Sequence, residues 1–326
     1  MDREFRFAIM GAGKIAEKFC EAVGLLEGAR VEAVASRSKE RADAFAAGKG
    51  IKRAYGSYEE MLQAGNIDCV YISATMEAHY RLAMLCLDYQ VPFLCEKAAF
   101  LTQAEATEVF SRCRELNVFG MEAMWSRFLP SNQAAKKLLT SGTIGKPQLV
   151  NFGLGFRAPK DHQNRYFSPA LGGGVSYDLT VYAYELLTFF LEAPAEQYSI
   201  QTIWGGGGVD VACNILIQFP GCLARLQSTF LADIQEDWVI HTDKGALVMP
   251  HAQSGSSWRF EPAEGGTPVC YQDTQTQNGF VYELKEVITC VQAGKIESSI
   301  APHSMTIHSA KLYERVWEGK DTGRIK

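Results

Sequence analysis

Met10-Gly11-Ala12-Gly13-Lys14-Ile15-Ala16 is the stretch on which the fold turns. It follows a strand-like run, Phe5–Met10, and opens a segment in which Ile15, Phe19, Val23 and Leu26 recur every three or four residues, the period of an amphipathic helix. A G-x-G-x-x-A pattern between a buried strand and a helix has a mechanical reading. Gly11 permits the tight turn, Gly13 lets a pyrophosphate approach the backbone, and the small Ala16 lets the helix pack close to the strand. The first helical N–H groups, at Lys14 and Ile15, then present the positive end of the helix dipole to an anion. Glycines punctuate many ordinary turns; the position of these two selects the dinucleotide-binding reading.

Working outward, further strand-like runs lie at Val31–Ser36, Asp68–Ser73, Val91–Cys95 and Val118–Met121. Helical patterns fall between them near 39–47, 58–64, 78–89 and 103–116. Apolar strands alternating with amphipathic helices predict a parallel sheet covered on both faces. The alternation stops near residue 121. Beyond it come a helical segment near 131–141, a loop over Gly142–Pro147, and strands near 148–156, 209–219, 222–230, 237–242 and 246–249 in direct succession. Phe219-Pro220-Gly221-Cys222 is short enough for a hairpin turn, and helices are expected over 175–191, 280–293 and 304–318. The fold class expected is α/β: an N-terminal Rossmann domain, residues 1–121, followed by an α+β substrate-binding and dimerisation domain, residues 122–326, with a large, mostly antiparallel open sheet.

Composition agrees with two globular domains. Apolar residues make up 47% of the chain and charged residues 21%, with a net charge of −5, so neither nucleic acid nor an anionic membrane is expected as a partner. Nine cysteines suggest a disulfide framework only at first sight. Cys69, Cys86, Cys95, Cys213 and Cys290 sit in apolar runs, where cysteine acts as a small core hydrophobe. No two have C-x-x-C spacing. Met1-Asp2-Arg3-Glu4 leads directly into the first strand without an apolar leader, and a reducing, cytoplasmic location is expected. The six histidines offer no spacing suited to a metal site, and none is expected.

An NAD-specific site usually places an acid about 20 residues after the glycines, on the adenosine ribose. Here that position reads Ser36-Arg37-Ser38. Arg37 suits a 2′-phosphate or a stack on adenine, so NADP is favoured and NAD stays open. Val91-Pro92-Phe93-Leu94-Cys95-Glu96-Lys97 runs from a buried strand into two charges at the strand's carboxyl end, where ligands lie in open α/β sheets. By spacing alone, Glu96-Lys97 also reads as the start of a solvated loop. After Gly172-Gly173-Gly174, Asp178 and Tyr182 stand four apart on one helical face. A free phenol titrates near pH ~10, so Tyr182 serves as a proton acceptor only where a cation favours its phenolate.

In order and spacing these segments resemble the Gfo/Idh/MocA oxidoreductases, and within them the dihydrodiol and xylose dehydrogenase branch. The resemblance rests on Gly11–Ala16, Ser36-Arg37, the strand leading to Ala74-Thr75 and His79, Glu96-Lys97, and the Gly174…Asp178…Tyr182 helix. Glu122–Phe128 and Arg165–Gly174 add to it. The family pattern implies hydride transfer between a nicotinamide cofactor and a sugar, polyol or cyclic diol. Lys97 would contact the reacting hydroxyl, Tyr182 would exchange its proton, and Asp178 would orient Lys97 or the substrate. Ala74, Thr75 and His79 would line the cofactor crevice, with Glu96 near the nicotinamide ribose. Trp125, Phe128 and Tyr166 would wall the substrate, and Arg127 and Arg165 would meet its polar groups.

The sequence departs from the family at Ala98, where proline is usual, and at Ala74-Thr75-Met76, where T-P-N is usual. Those departures keep a second class of function open, a non-catalytic nucleotide sensor of the same fold. A third is an enzyme that keeps its cofactor bound and recycles it between two substrates. The resemblance also implies a homodimer through the open C-terminal sheet.

Overall fold

The computed structural model describes residues 3–159, 164–193, 195–234 and 237–319; Met1 and Asp2, quoted above, lie outside them. The chain divides into two compact units. One comprises Met1–Trp125 with Asn278–Ala310, the other Ser126–Gln277 with Lys311–Lys326.

In the first unit six strands alternate with helices: β1 (Phe5–Met10), α1 (Lys14–Gly24), β2 (Ala29–Ala35), α2 (Lys39–Lys49), β3 (Arg53–Tyr55), α3 (Tyr58–Gln63), β4 (Cys69–Ile72), α4 (His79–Asp88), β5 (Phe93–Glu96), α5 (Gln103–Leu116) and β6 (Gly120–Ala123). The strands pair in parallel in the order β3-β2-β1-β4-β5-β6, the doubly wound arrangement expected. All six residues of β1 are buried, which explains its nearly continuous apolar run. The exception, Arg6, is neutralised by a two-pronged contact with Asp68, at 3.0 and 3.1 Å. Helix α1 buries Ala16, Phe19, Ala22 and Val23, and Phe19 stacks on Tyr71 of β4 with centroids 3.9 Å apart.

The expected single boundary between 121 and 122 differs from this division. After the second unit the chain returns as α8 (Phe280–Gln292), which packs on α1. It continues into α9 (His303–Glu318), whose first residue stacks on Phe110, centroids 4.0 Å apart, and hydrogen-bonds the Gly120 carbonyl at 2.9 Å. Helical periodicity marks α8 and α9 in the sequence; it does not say which core their apolar stripes enter.

The second unit holds α6 (Pro130–Thr140), β7 (Pro147–Gly155), α7 (Val181–Leu191), β8 (Gln197–Trp204), β9 (Asp210–Phe219), β10 (Cys222–Thr229), β11 (Asp237–Thr242), β12 (Gly245–Pro250), β13 (Ser257–Pro262) and β14 (Val269–Gln272). Its eight-stranded sheet runs β14-β13-β12-β11-β7-β10-β9-β8. Every neighbouring pair is antiparallel except β10 and β7, so the sheet is mostly antiparallel as expected. Pro220-Gly221 closes the β9–β10 hairpin, with Gly221 at φ 72°, a backbone angle that suits glycine. One sheet face is core: Phe152 stacks on Trp238 at 4.3 Å and meets Phe190 of α7 edge-on. The opposite face leaves Leu149, Ile203, Leu216 and Leu223 about half exposed.

Two expectations in this unit give way. The helix expected as one piece over 175–191 begins as a π-turn, Ser176–Thr180, before α7. Arg127, expected to meet substrate, is 1% exposed and pairs with Glu185 at 2.7 Å; it also donates to the Glu185 carbonyl at 2.7 Å and to Thr188 Oγ1 at 3.3 Å. Phe128 beside it is likewise core. A guanidinium taken out of water needs such a set of acceptors.

The pair makes a stability prediction. Arg127→Met strands the Glu185 carboxylate and should cost about 3–5 kcal/mol in urea unfolding, whereas the Arg127→Met/Glu185→Leu double variant should recover most of that loss.

Candidate active site

In the first unit the glycine turn sits at the switch point of the sheet, where the chain order leaves β1 with β2 on one side and β4 on the other. Ligands bind outside the carboxyl ends of strands at such a point. Gly11 has φ 112°, and a Cβ there would lie 2.8 Å from the backbone of Ser73 and Ala74. The turn is therefore pressed against the end of β4, and Ser73 Oγ donates to the Gly11 carbonyl at 2.8 Å. Gly13 is different, because a Cβ there would meet no protein atom within 4 Å. Packing does not demand that glycine; the open face before the N-terminus of α1 fits a pyrophosphate. Lys14 is exposed and Ile15 half-buried at that entrance.

At the end of β2, Ser36 is buried and donates its N–H to the Tyr55 carbonyl at 3.2 Å, while Arg37 is exposed. Tyr58, whose hydroxyl burial pushes to a higher pKa, feels the opposing positive charge of Arg37, Arg81 and Arg41. These three guanidinium groups form one cationic neighbourhood. Only Arg37 was read from the sequence; Arg41 lies one helical turn further along α2, and Arg81 comes from α4, so the cluster exists only in the fold.

The ends of β4 and β5 are tied together. His79 is buried, with Nε2 3.1 Å from the Ala74 carbonyl and Nδ1 3.2 Å from the Ala98 carbonyl. A neutral imidazole has one N–H and serves one carbonyl at a time, and burial lowers the pKa of this ring. Ala99 N–H donates to Glu122 at 2.9 Å, and the Lys97–Ala98 peptide is cis. His79 thus stands between the two loops that depart from the family pattern, within hydrogen-bond distance of a carbonyl on each. Thr75 and Glu96 are half-buried beside it, as is Lys97.

Glu96 accepts a hydrogen bond from the Tyr71 hydroxyl; burial, then the carboxylate's charge, drives the pKa of that phenol well up. Glu283 of α8 is fully buried, neither of its carboxyl oxygens has a hydrogen-bond partner among the described residues, and burial with the charge of Glu96 raises its pKa well above the usual range. Neither Tyr71 nor Glu283 could be singled out from sequence. Trp125 lies 5.5 Å from Phe280, centroid to centroid, in this unit.

In the second unit, Gly172 has φ 71° and Gly174 φ 131°, and a Cβ on Gly173 would press on the carbonyls of Arg165, Tyr166 and Ser168. This folded loop delivers Asp178 on the π-turn and Tyr182 on the first turn of α7, both half-buried. Asp178 pairs with Arg165 at 3.3 Å. The Arg165 guanidinium lies over the Tyr166 ring, and that ring packs on Phe156 and Phe230. The structure therefore brings Arg165 to Asp178 and Tyr166 into an aromatic group.

The N-terminal part, residues 5–123, matches the model of the oxidoreductase family with an NAD-binding Rossmann fold, and residues 132–248 match the GFO/IDH/MocA C-terminal domain. The chain is 32% identical to the trans-1,2-dihydrobenzene-1,2-diol dehydrogenase of Danio rerio, over 92% of each chain. It belongs to the Gfo/Idh/MocA family of oxidoreductases. Among solved structures it resembles the aldose-aldose oxidoreductase of Caulobacter crescentus, complexed with glycerol, with a TM-score of 0.89, 21% identity and 99% of each chain covered. A 3-ketoreductase from Actinomadura kijaniata in complex with NADP and TDP-benzene aligns with a TM-score of 0.85 at 20% identity, over 97% of this chain and 98% of that one. The protein is accordingly an NAD(P)-dependent oxidoreductase, and no helix among its described residues is long and apolar enough to cross a membrane.

Two outcomes test this site. Gly11→Ala, which drives a methyl into the Ser73–Ala74 backbone, should abolish dinucleotide binding measured by cofactor fluorescence titration. Glu283 binds its proton more tightly when folded than unfolded, because its folded pKa is raised. Its contribution is fully present below its unfolded pKa and is lost as pH rises through the folded value. The thermal midpoint of the protein should fall from acid toward alkaline pH more steeply than that of Glu283→Gln.

Proposed function

We propose that this protein is an NADP-dependent dehydrogenase or reductase that interconverts a secondary alcohol and a ketone, or a sugar hydroxyl and a carbonyl, on a sugar, polyol or cyclic diol. The observation that carries the reading is the delivery of Glu96 and Lys97 by β5 to the same carboxyl edge of the sheet that presents the Gly11–Gly13 turn. When bound there, the nicotinamide cofactor supplies a hydride acceptor or donor. The chain supplies position and electrostatics.

In the oxidative direction Lys97 donates a hydrogen bond to the substrate oxygen and favours its alkoxide character. Tyr182 accepts the hydroxyl proton, and Asp178 orients the polar groups around it. Each turnover removes two electrons and one proton from the carbon as hydride, and one proton from the oxygen. The same residues run the reaction backwards by returning that proton. The 32% identity to a diol dehydrogenase supports a substrate with adjacent hydroxyls. Trp125 and Tyr166 are the aromatic surfaces proposed to meet its ring carbons, since Phe128 is committed to the core.

The cationic neighbourhood of Arg37, Arg41 and Arg81 supports NADP, because a 2′-phosphate brings two negative charges to the end of β2, where no carboxylate stands to receive a ribose hydroxyl. For the oligomer, the apolar residues on the outer sheet face support a homodimer. Leu149 of β7 lies opposite Leu223 of β10, and both are about half exposed, as is Leu216 of β9; apolar surface of this kind often marks an interface.

Titration should show NADPH binding more tightly than NADH. Arg37→Ala should weaken NADPH about 10- to 100-fold, the worth of a charge-assisted contact, and leave NADH unchanged. Lys97→Ala should bind NADPH as the parent does and turn over none of a panel of sugars, polyols and cyclic diols. Turnover by that variant at the parent rate would remove Lys97 from the chemistry. Sedimentation should give a dimer, and Leu223→Arg a monomer.

A further inference from the structure

The helix that carries Asp178 and Tyr182 starts without help from its own sequence: Val175, immediately before the π-turn, makes no side-chain capping bond. A helix start leaves unpaired N–H groups and a positive dipole end, and when buried these need a partner. The partner comes from across the sheet. Asp210, the first residue of β9, is fully buried, and its Oδ2 accepts the Ser176 N–H at 2.7 Å over 34 residues of chain. Its other oxygen occupies the space that a Cβ at residue 174 would need, since a methyl on Gly174 would collide with Asp210 Oδ1. The next turn is fixed as well: Asp178 N–H donates to the Gly174 carbonyl at 3.2 Å, and Thr180 Oγ1 meets Ser228 Oγ of β10 at 2.5 Å.

We propose that Asp210 is a positioning residue for proton transfer: its buried carboxylate clamps the start of the Ser176–Leu191 helix and so sets where Asp178 and Tyr182 stand. Burial pushes its carboxyl up to about 6, and the hydrogen bond from Ser176 opposes that shift. A buried charge is costly unless it is paired, and a hydrophobic residue would serve the core of the second unit better. The third glycine of Leu171–Gly174 thereby has a purpose separate from ligand approach, which is to admit Asp210 Oδ1. The inference rests on the reading of Tyr182 as the proton-exchanging group.

The test is a mutant cycle with the full-length protein, using NADPH and whichever panel substrate wild type turns over. Asp210→Ala is expected to lower kcat about 10- to 100-fold, the scale of a misplacement near 1 Å, with NADPH affinity unchanged, because the glycine turn lies in the other compact unit. Asp210→Asn, which keeps an acceptor for the Ser176 N–H, is expected to recover most of that loss. In a Tyr182→Phe background the Asp210→Ala change is expected to cost far less than it does in wild type, since residues acting as one unit are not additive. An equal loss in both backgrounds, or a parallel loss of NADPH affinity, would reduce Asp210 to general stability and overturn the proposal. Should Asp210→Ala not fold, Asp210→Asn carries the cycle, with a smaller loss that must again vanish in Tyr182→Phe. Should wild type bind NADPH and turn over nothing, the functional reading fails by itself. Amide exchange then decides the clamp: faster exchange in Asp210→Ala confined to residues 175–182, largely restored in Asp210→Asn, supports it, and unchanged exchange there in Asp210→Ala overturns it.

Discussion

The first unit depends on one close approach. The backbone of Ser73 and Ala74 stands where a side chain on Gly11 would be, so the ends of β1 and β4 meet with nothing between them. That contact places the entrance of α1 over the switch point and leaves Gly13 facing open space. It also sets the height at which Ala74 can be tied through His79 to Ala98. The carboxyl ends of three strands become one rim, and preorganisation of that kind is what a hydride-transfer site needs from its protein.

Around that rim the ionisable groups divide by what burial does to them. Tyr71 and Glu283 flank Glu96, and both are driven toward their neutral forms by desolvation and by its charge. Tyr71, one of those two groups, donates a hydrogen bond to the Glu96 carboxyl group. In the second unit Arg127 and Glu185 show the other solution, a buried ion pair. Charge in a low-dielectric interior is either paired or suppressed, and the two units use the two answers in different places.

The parallel half was legible because its signals are local. A doubly buried strand, a glycine pair and a helical stripe lie within twenty-two residues of each other, Phe5 to Leu26, and their order implies the sheet. Four strands were not legible. Strand β3 is only Arg53–Tyr55, none of it fully buried; β8 alternates exposed and half-buried residues; β14 has four residues, none fully buried, at the sheet edge, and β13 beside it buries only Trp258 and Phe260. Alternation of hydrophobicity fades where neither face enters a core. At the site, a motif marks a residue in the sequence, whereas a residue that acts through space carries no such mark. Arg41, Arg81, Tyr71, Glu283 and Asp210 have no sequence neighbour that explains them. Arg127 shows the converse: a charged residue within an aromatic segment looks the same in sequence whether it faces a ligand or Glu185.

The return of residues 278–310 to the first unit bears on how the protein is born. A ribosome releases β1 through β6 long before α8 and the start of α9 exist, because the second unit is encoded between them. At about 5–20 residues per second, the dinucleotide-binding half waits roughly 8–30 s with the surface of α1 that receives α8 bare and the Gly120 carbonyl without its histidine. The nascent chain therefore passes its most exposed moment with the cofactor half nearly built and its last pieces still unmade. Nucleotide captured early, or a chaperone holding that apolar surface, would have its greatest effect in this interval.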